Sequence, residues 1–266
     1  MIQIIIFSKD RPCQLDALLD SIKWFYGVPS FINILYLYSN DFYSKGYNQC
    51  MADYIINKNI EWHCQLNSKD GFKAQIENLS IKNNCEYITY FTDDDIIKSK
   101  FQYDEIFKQF ENNKDILTLS LRLGLHVNFN YVNQEYTPSP VTNLWEWRKY
   151  PPLSDWGYPM SIQGNIFRRE DIIPCIKRIH FDCPNNFEGS MYHSPINKPY
   201  MLCYPKSKVL GLQLNRVAST STNRSGNISI EHLNKEYLNG KRLDFRKLCD
   251  VDFNSPDIEL KEIQWM

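Results

Sequence analysis

The chain has no C-x-x-C pair, no glycine-rich loop behind its first apolar run, no long block of basic residues and no apolar stretch of membrane-spanning length. Each absence removes a class of function. Eight cysteines, at 13, 50, 64, 85, 175, 183, 203 and 249, are scattered through the sequence, which reads as reduced thiols and excludes a zinc site or a disulfide framework. A formal charge of -1 without a basic run argues against nucleic acid as a partner. The opening run 2–7 is too short, and too quickly followed by charge, for a secretion signal or a membrane span, so the expectation is a cytoplasmic protein working in solution or at the inner face of a membrane. Trp145, Trp147 and Trp156 leave peripheral contact with lipid open, beside core packing or stacking on sugar faces. No internal repeat or low-complexity tract is present.

What the chain does have is 266 residues, 43% hydrophobic and 14% aromatic, enough for one large domain or two closely packed halves. Apolar runs at 2–7, 34–38, 62–66 and 87–92 alternate with stripes at helical spacing: Leu15, Leu18, Leu19 and Ile22; Tyr47, Cys50, Met51, Tyr54 and Ile55; Phe72, Ile76 and Leu79. That alternation predicts an α/β fold, a mainly parallel central sheet flanked by helices, with ligands at the carboxyl ends of the strands. Further strands are expected at 116–123, 161–167 and 209–214, and helices over the stripe Ile172, Ile173, Ile176 and Ile179, entered through Arg169-Glu170-Asp171 with Pro174 tolerable only in the first turn, and at 230–238. Residues 128–159 read as a long irregular, substrate-facing segment, and 218–227 as a Ser/Thr-rich loop bracketed by Arg216 and Arg224.

The strongest chemical signal is Asp93-Asp94-Asp95, closing the run at 87–92. In an extended backbone Asp93 and Asp95 project to one side and Asp94 to the other, so two carboxylates share one ion. Oxygen-only ligation suits Mg²⁺ or Mn²⁺, which leaves positions for phosphate oxygens. The competing reading is a solvated acidic turn or a helix N-terminus. Ser8-Lys9-Asp10-Arg11 and Ser39-Asn40-Asp41 end the first two runs in the same way, so three polar strand ends converge on one crevice.

The run ending Phe7-Ser8-Lys9-Asp10-Arg11-Pro12, followed by a Leu-rich stripe, resembles the opening of family 2 glycosyltransferases. The resemblance continues through Asp70-Gly71-Phe72-Lys73-Ala74-Gln75-Ile76-Glu77-Asn78 and through the block ending Asp93-Asp94-Asp95, which looks like the family's DxD region, in matching order over about the first hundred residues. It implies a GT-A fold with a nucleotide-sugar-binding half at 1–100 and an acceptor half at 101–266. It also implies a UDP- or dTDP-sugar donor, Mn²⁺ or Mg²⁺, and inverting transfer of a single sugar to a saccharide or lipid-linked saccharide acceptor. By resemblance Asp95 ligates the metal, Asp93 faces the ribose or shares the ion, Asp94 meets the donor sugar and Asp41 reads the base. Ser8, Lys9, Asp10, Arg11 and Lys73 complete the donor set; Lys73 and Arg11 either approach phosphate or pair with Asp10 and Asp93. An Asp cap before Tyr43 is the alternative for Asp41. Inversion needs a base, and Glu188 in Pro184-Asn185-Asn186-Phe187-Glu188-Gly189 is the candidate, with Asp155 and Asp182 behind it because the family's Glu-Asp pair is absent. His126, His180 and His193 read as surface or core histidines before metal ligands. The chain has no Q-x-x-R-W motif, which excludes the pattern of processive synthases. A nucleotidyltransferase, or a silent nucleotide- or sugar-binding module on the same scaffold, remains the alternative.

Overall fold

A computed structural model describes residues 1–66, 71–194, 196–217 and 224–266. Asp70, part of the second motif, and residues 218–223 of the expected loop lie outside the described residues. Eight strands form the main sheet. The first four, β1 (Ile2–Lys9), β2 (Ser30–Leu37), β3 (Ile60–Cys64) and β4 (Tyr87–Thr92), are mutually parallel and joined through α1 (Pro12–Phe25), α2 (Asp41–Asp53) and α3 (Gly71–Lys82). A second, three-stranded sheet contains β5 (Asp95–Ile97), and α4 (Glu105–Asn112) leads on to β6 (Ile116–Gly124).

Residues 128–159 are more ordered than the sequence suggests. They form a short hairpin of β7 (Phe129–Asn130) and β8 (Glu135–Tyr136), then the edge strand β9 (Leu144–Glu146), each too short to leave a periodic signature. After them come β10 (Asn165–Arg168), α5 (Arg169–Arg178), α6 (Pro184–His193), β11 (Tyr200–Tyr204), β12 (Val209–Leu212), α7 (Ile230–Leu238) and β13 (Asp257–Ile258). The main sheet runs β3-β2-β1-β4-β10-β6-β11-β9, with only β10 and β9 antiparallel to their neighbours, and the small sheet runs β13-β12-β5. The expected α/β architecture is therefore present, and the segments 1–100 and 101–266 each contribute four strands to one sheet.

The alternation along β1 explains the layering. Ile2, Ile4 and Ile6 join the core beneath α1, α2 and α7, while Ile5 and Phe7 face the core beneath α3, α5 and α6. A strand buried on both faces reads as a continuous apolar run, as this one does.

The third strand runs over Ile60–Cys64, two residues ahead of the forecast 62–66. The strand forecast over 161–167 begins only at Asn165, because Gly164 takes a φ of +76°, a conformation that favours glycine. The helix entered through Arg169-Glu170-Asp171 begins at Arg169 itself, whose N–H is held by the carbonyl of Glu86, so Pro174 lies inside the helix and not in its first turn. The tryptophans are also resolved: Trp156 is fully buried, its ring edge-on to Trp145 at 4.9 Å, and Trp147 donates its ring N–H to the carbonyl of Lys198. Trp145 and Trp156 form a satellite core with Leu123, Val127, Met201 and Cys203, and Trp147, partly buried, packs against it. Trp156→Ala is expected to cost about 3–5 kcal/mol and to lower Tm by roughly 10 °C; an unchanged melting curve would show that the packing reading is wrong.

Candidate functional site

β4 delivers Asp93 and Asp94 as the two turn residues between the main sheet and β5, and Asp95 opens β5. The side chain of Asp95 folds back to close the turn, accepting hydrogen bonds from Thr92 N at 2.8 Å and Thr92 Oγ1 at 3.0 Å. This reversal overturns the strand alternation expected for the triplet. Asp93 and Asp94 converge, both accepting from Nη1 of Arg11 at 3.0 Å, and Asp95 turns away toward Nε2 of Gln163 at 3.4 Å. Nor is the turn solvated, since Asp93 is 3% and Asp95 0% exposed. Burial pushes the Asp93 carboxyl up to about 6 against the pull of Arg11, and burial with the charges of Asp94 and Asp257 holds Asp95 well above the usual carboxylate range. Burial opposes the charge of Arg11, but Asp93 and Asp94 outweigh it and its pKa is raised.

Arg11 is itself anchored. Its Nε donates to Asn215 Oδ1 at 2.8 Å and its Nη2 to the Asn215 carbonyl, while Asn215 Nδ2 reaches the carbonyl of Ile228 at 3.0 Å. The other residues at the ends of β1 and β2 divide by role. Ser8 Oγ lies 2.7 Å from the hydroxyl of Tyr47, and Asp10, at a φ of 56°, ties β1 to β2 by accepting from Ser39 N at 2.7 Å. Aspartate tolerates this left-handed conformation better than most residues. The backbone N–H of Lys9 donates to Asp93 Oδ2 at 3.0 Å while its side chain is exposed. Asn40, not Asp41, caps α2, accepting from the N–H groups of Phe42 and Tyr43, so Asp41 stands exposed at the first helical position. The ammonium of Lys73 lies 3.6 Å from Glu77 and 3.4 Å from the carbonyl of Lys177, which places it against α5; it meets neither Asp10 nor Asp93.

A second cluster centres on Arg122, whose Nη2 lies 2.8 Å from Asp155 and 3.3 Å from Asp257. Asp257 Oδ1 also accepts from Gln163 at 3.2 Å and Gln213 at 3.0 Å. It packs so closely over Gly211 that a Cβ there would stand 2.1 Å from its oxygen. Glu188, half-buried on α6, accepts from Ile162 N at 3.1 Å; burial raises its pKa, and that hydrogen bond and the charge of Arg122 oppose the rise. Asp155 is locked between Arg122 and Asn130, and Asp182 is exposed, bonded to Asn186. Arg122, Asp257, Asn215 and Tyr47 were not anticipated. An arginine inside the apolar run 116–124 was a signal for the first, because a charge in a buried strand needs partners.

No family model and no curated protein matches the sequence. Solved structures do match by shape. S. aureus TarS 1–349 superposes with a TM-score of 0.50 at 12% identity, covering 80% of this chain and 60% of that one. The same protein in complex with UDP-GlcNAc gives 0.46 at 14%, covering 76% and 58%, and the mannosyltransferase PcManGT from Pyrobaculum calidifontis, in complex with GDP-Man and Mn²⁺, gives 0.47 at 8%, covering 77% and 54%. The chain has a GT-A fold. It spans less than two thirds of the length of each of these structures.

In a GT-A chain the acidic turn is where a divalent cation is expected, and the residues here do not fit one as arranged. Nη1 of Arg11 stands against one oxygen each of Asp93 and Asp94, and the other Asp93 oxygen accepts from Lys9 N. Both Asp95 oxygens accept from Thr92 or Gln163. Among the described residues no group of three or more His, Cys, Asp or Glu side chains is placed to hold a metal ion. A separate open depression of about 570 Å³, lined by Trp145, Glu146, Lys149, Tyr150 and Tyr200, lies at β9, four strands from β4.

The raised pKa of Asp95 sets a pH dependence. Below the unfolded value the group is protonated in both states and costs nothing; as pH rises from there toward the folded value, the unfolded state gives up a proton that the folded state keeps, and stability falls. Asp95→Asn keeps an acceptor for Thr92 and removes this cost. It is expected to raise Tm by a few degrees at pH 8, with the gain shrinking toward pH 4; a variant less stable than wild type at pH 8 would contradict the assignment.

Proposed function

We propose that the chain is a glycosyltransferase that moves one sugar from a UDP- or dTDP-sugar to a saccharide or lipid-linked saccharide acceptor with inversion. The observation that carries this reading is that adjacent residues tie the acidic turn to the candidate base: Gln163 reaches Asp95 while the N–H of Ile162 holds Glu188. Donor site and base thus flank one short segment at the end of the sheet, the place where open α/β folds bind ligands.

In this reading Glu188 takes the acceptor hydroxyl proton as the oxygen attacks the anomeric carbon from the face opposite the nucleotide. Burial serves that role, because a carboxylate with a raised pKa is a stronger base than a solvated one. Asp41, exposed beyond β2, accepts a hydrogen bond from the ring N–H of uracil or thymine, and Asp94, the least buried of the triplet, faces the donor sugar. Lys9, exposed beside Asp93, meets the diphosphate; Lys73 does so only by leaving Glu77. Ser8, Asp10 and Arg11 shape the pocket through Tyr47, Ser39 and Asp93. A silent binding module is favoured by one observation, the occupation of Asp93 and Asp94 by Arg11. Turnover separates the two.

Wild-type protein is expected to gain thermal stability with UDP or dTDP, since a ligand bound only by the native state raises Tm by mass action. Glu188→Gln should keep that shift and lose about 10²–10⁴-fold in transfer or donor hydrolysis. A folded Glu188→Gln variant with wild-type turnover sinks the base assignment, and no shift with any nucleotide sugar sinks the reading as a whole.

A further inference from the structure

We infer that Arg11 is a built-in counter-ion that keeps a divalent cation out of the Asp93–Asp94 turn, so that an ion enters there only by displacing the guanidinium. A single nitrogen, Nη1, stands 3.0 Å from Asp93 Oδ1 and 3.0 Å from Asp94 Oδ2. An ion bridging those two oxygens at about 2.1 Å would lie against Nη1, where its charge meets that of the guanidinium across a short, weakly screened distance. Arginine does not escape by losing its proton, so the two cations exclude each other.

The guanidinium is also not free to swing aside. Its two other nitrogens are spent on Asn215, through the side-chain oxygen at 2.8 Å and the backbone carbonyl. Asn215 is held in turn by Gln14 Nε2 at 3.3 Å and by the carbonyl of Ile228. Pro12, directly after Arg11, begins α1 and restrains the backbone from which the side chain departs. Arg11 is 7% exposed, so moving it away means breaking four charge-assisted hydrogen bonds in a nearly dry setting. The consequence deepens the proposed function and rests on it for its meaning: the donor diphosphate meets a turn whose negative charge Arg11 already offsets in part, and a divalent ion reaches that turn only at the expense of the guanidinium. The exclusion itself rests on geometry alone.

The test is Mn²⁺ binding to the full chain without nucleotide, followed by the loss of the free-ion electron paramagnetic resonance signal, in wild type, Arg11→Met and Asn215→Ala. Arg11→Met is expected to bind Mn²⁺ about tenfold tighter or more than wild type, and a folded Arg11→Met with wild-type affinity overturns the inference. Removing the guanidinium leaves buried carboxylates unpaired, and that variant is liable to unfold. Asn215→Ala, which keeps the charge and loosens its anchor, then decides: tighter Mn²⁺ binding than wild type supports the exclusion, and unchanged binding overturns it. UDP affinity measured on the wild-type protein in EDTA addresses the donor reading separately, because UDP binding stands or falls whatever the Mn²⁺ titration shows.

Discussion

Burying the paired carboxylates Asp93 and Asp94 at a strand end is costly without positive charge beside them, and in this chain Arg11 supplies it. The pairing reaches across more than eighty residues, from the turn after β1 to the turn after β4, and through Asn215 to the segment behind β12. It is therefore a tertiary constraint as well as an electrostatic one. It fixes the spacing of two neighbouring strand ends and docks a third segment against them. Buried pairs of this kind are weak contributors to net stability and strong determinants of geometry, because losing one partner strands the other.

The second acidic cluster obeys the same rule with a different solution. Arg122 faces Asp155 and Asp257 directly, and two glutamine amides share the remaining load on Asp257. Among the described residues Glu188 has no ion-pair partner at contact distance; it accepts from the N–H of Ile162, and burial raises its pKa. Asp155 is locked between Arg122 and Asn130, whereas Glu188 has no such pair.

Much of the scaffold was legible because the first hundred residues are locally consistent. β1, β2 and β4 are apolar runs, α1 carries a clear stripe, and β4 and α7 fall where periodicity puts them, whereas β3, with Glu61 and His63 inside it, starts two residues ahead of the run forecast at 62–66. The acidic turn was legible as a position and not as a geometry. The expectation that Asp93 and Asp95 share a face assumed an extended backbone, and the Thr92–Asp95 hydrogen bonds close the chain into a turn instead. Strands of two or three residues, such as β9 and β13, carry no period to read. Asp257 sits in one of them and owes its place to partners far away in sequence, Gly211, Gln163 and Arg122, which no local pattern announces. The tryptophans were undecided for the same reason: whether an aromatic packs or protrudes depends on what the fold lays over it.

A GT-A scaffold at 12% identity to its structural match establishes architecture, and the chemistry has to be argued from the site. In the proposed function the ends of β1, β2 and β4 form one nucleotide-diphosphate site. A crystal structure of the chain with UDP tests this most directly. The account predicts the uracil ring beside Asp41 and the diphosphate between Lys9 and the Asp93–Asp94 turn, with Arg11 still on its two carboxylates. UDP bound elsewhere, for instance in the depression at β9, would contradict it.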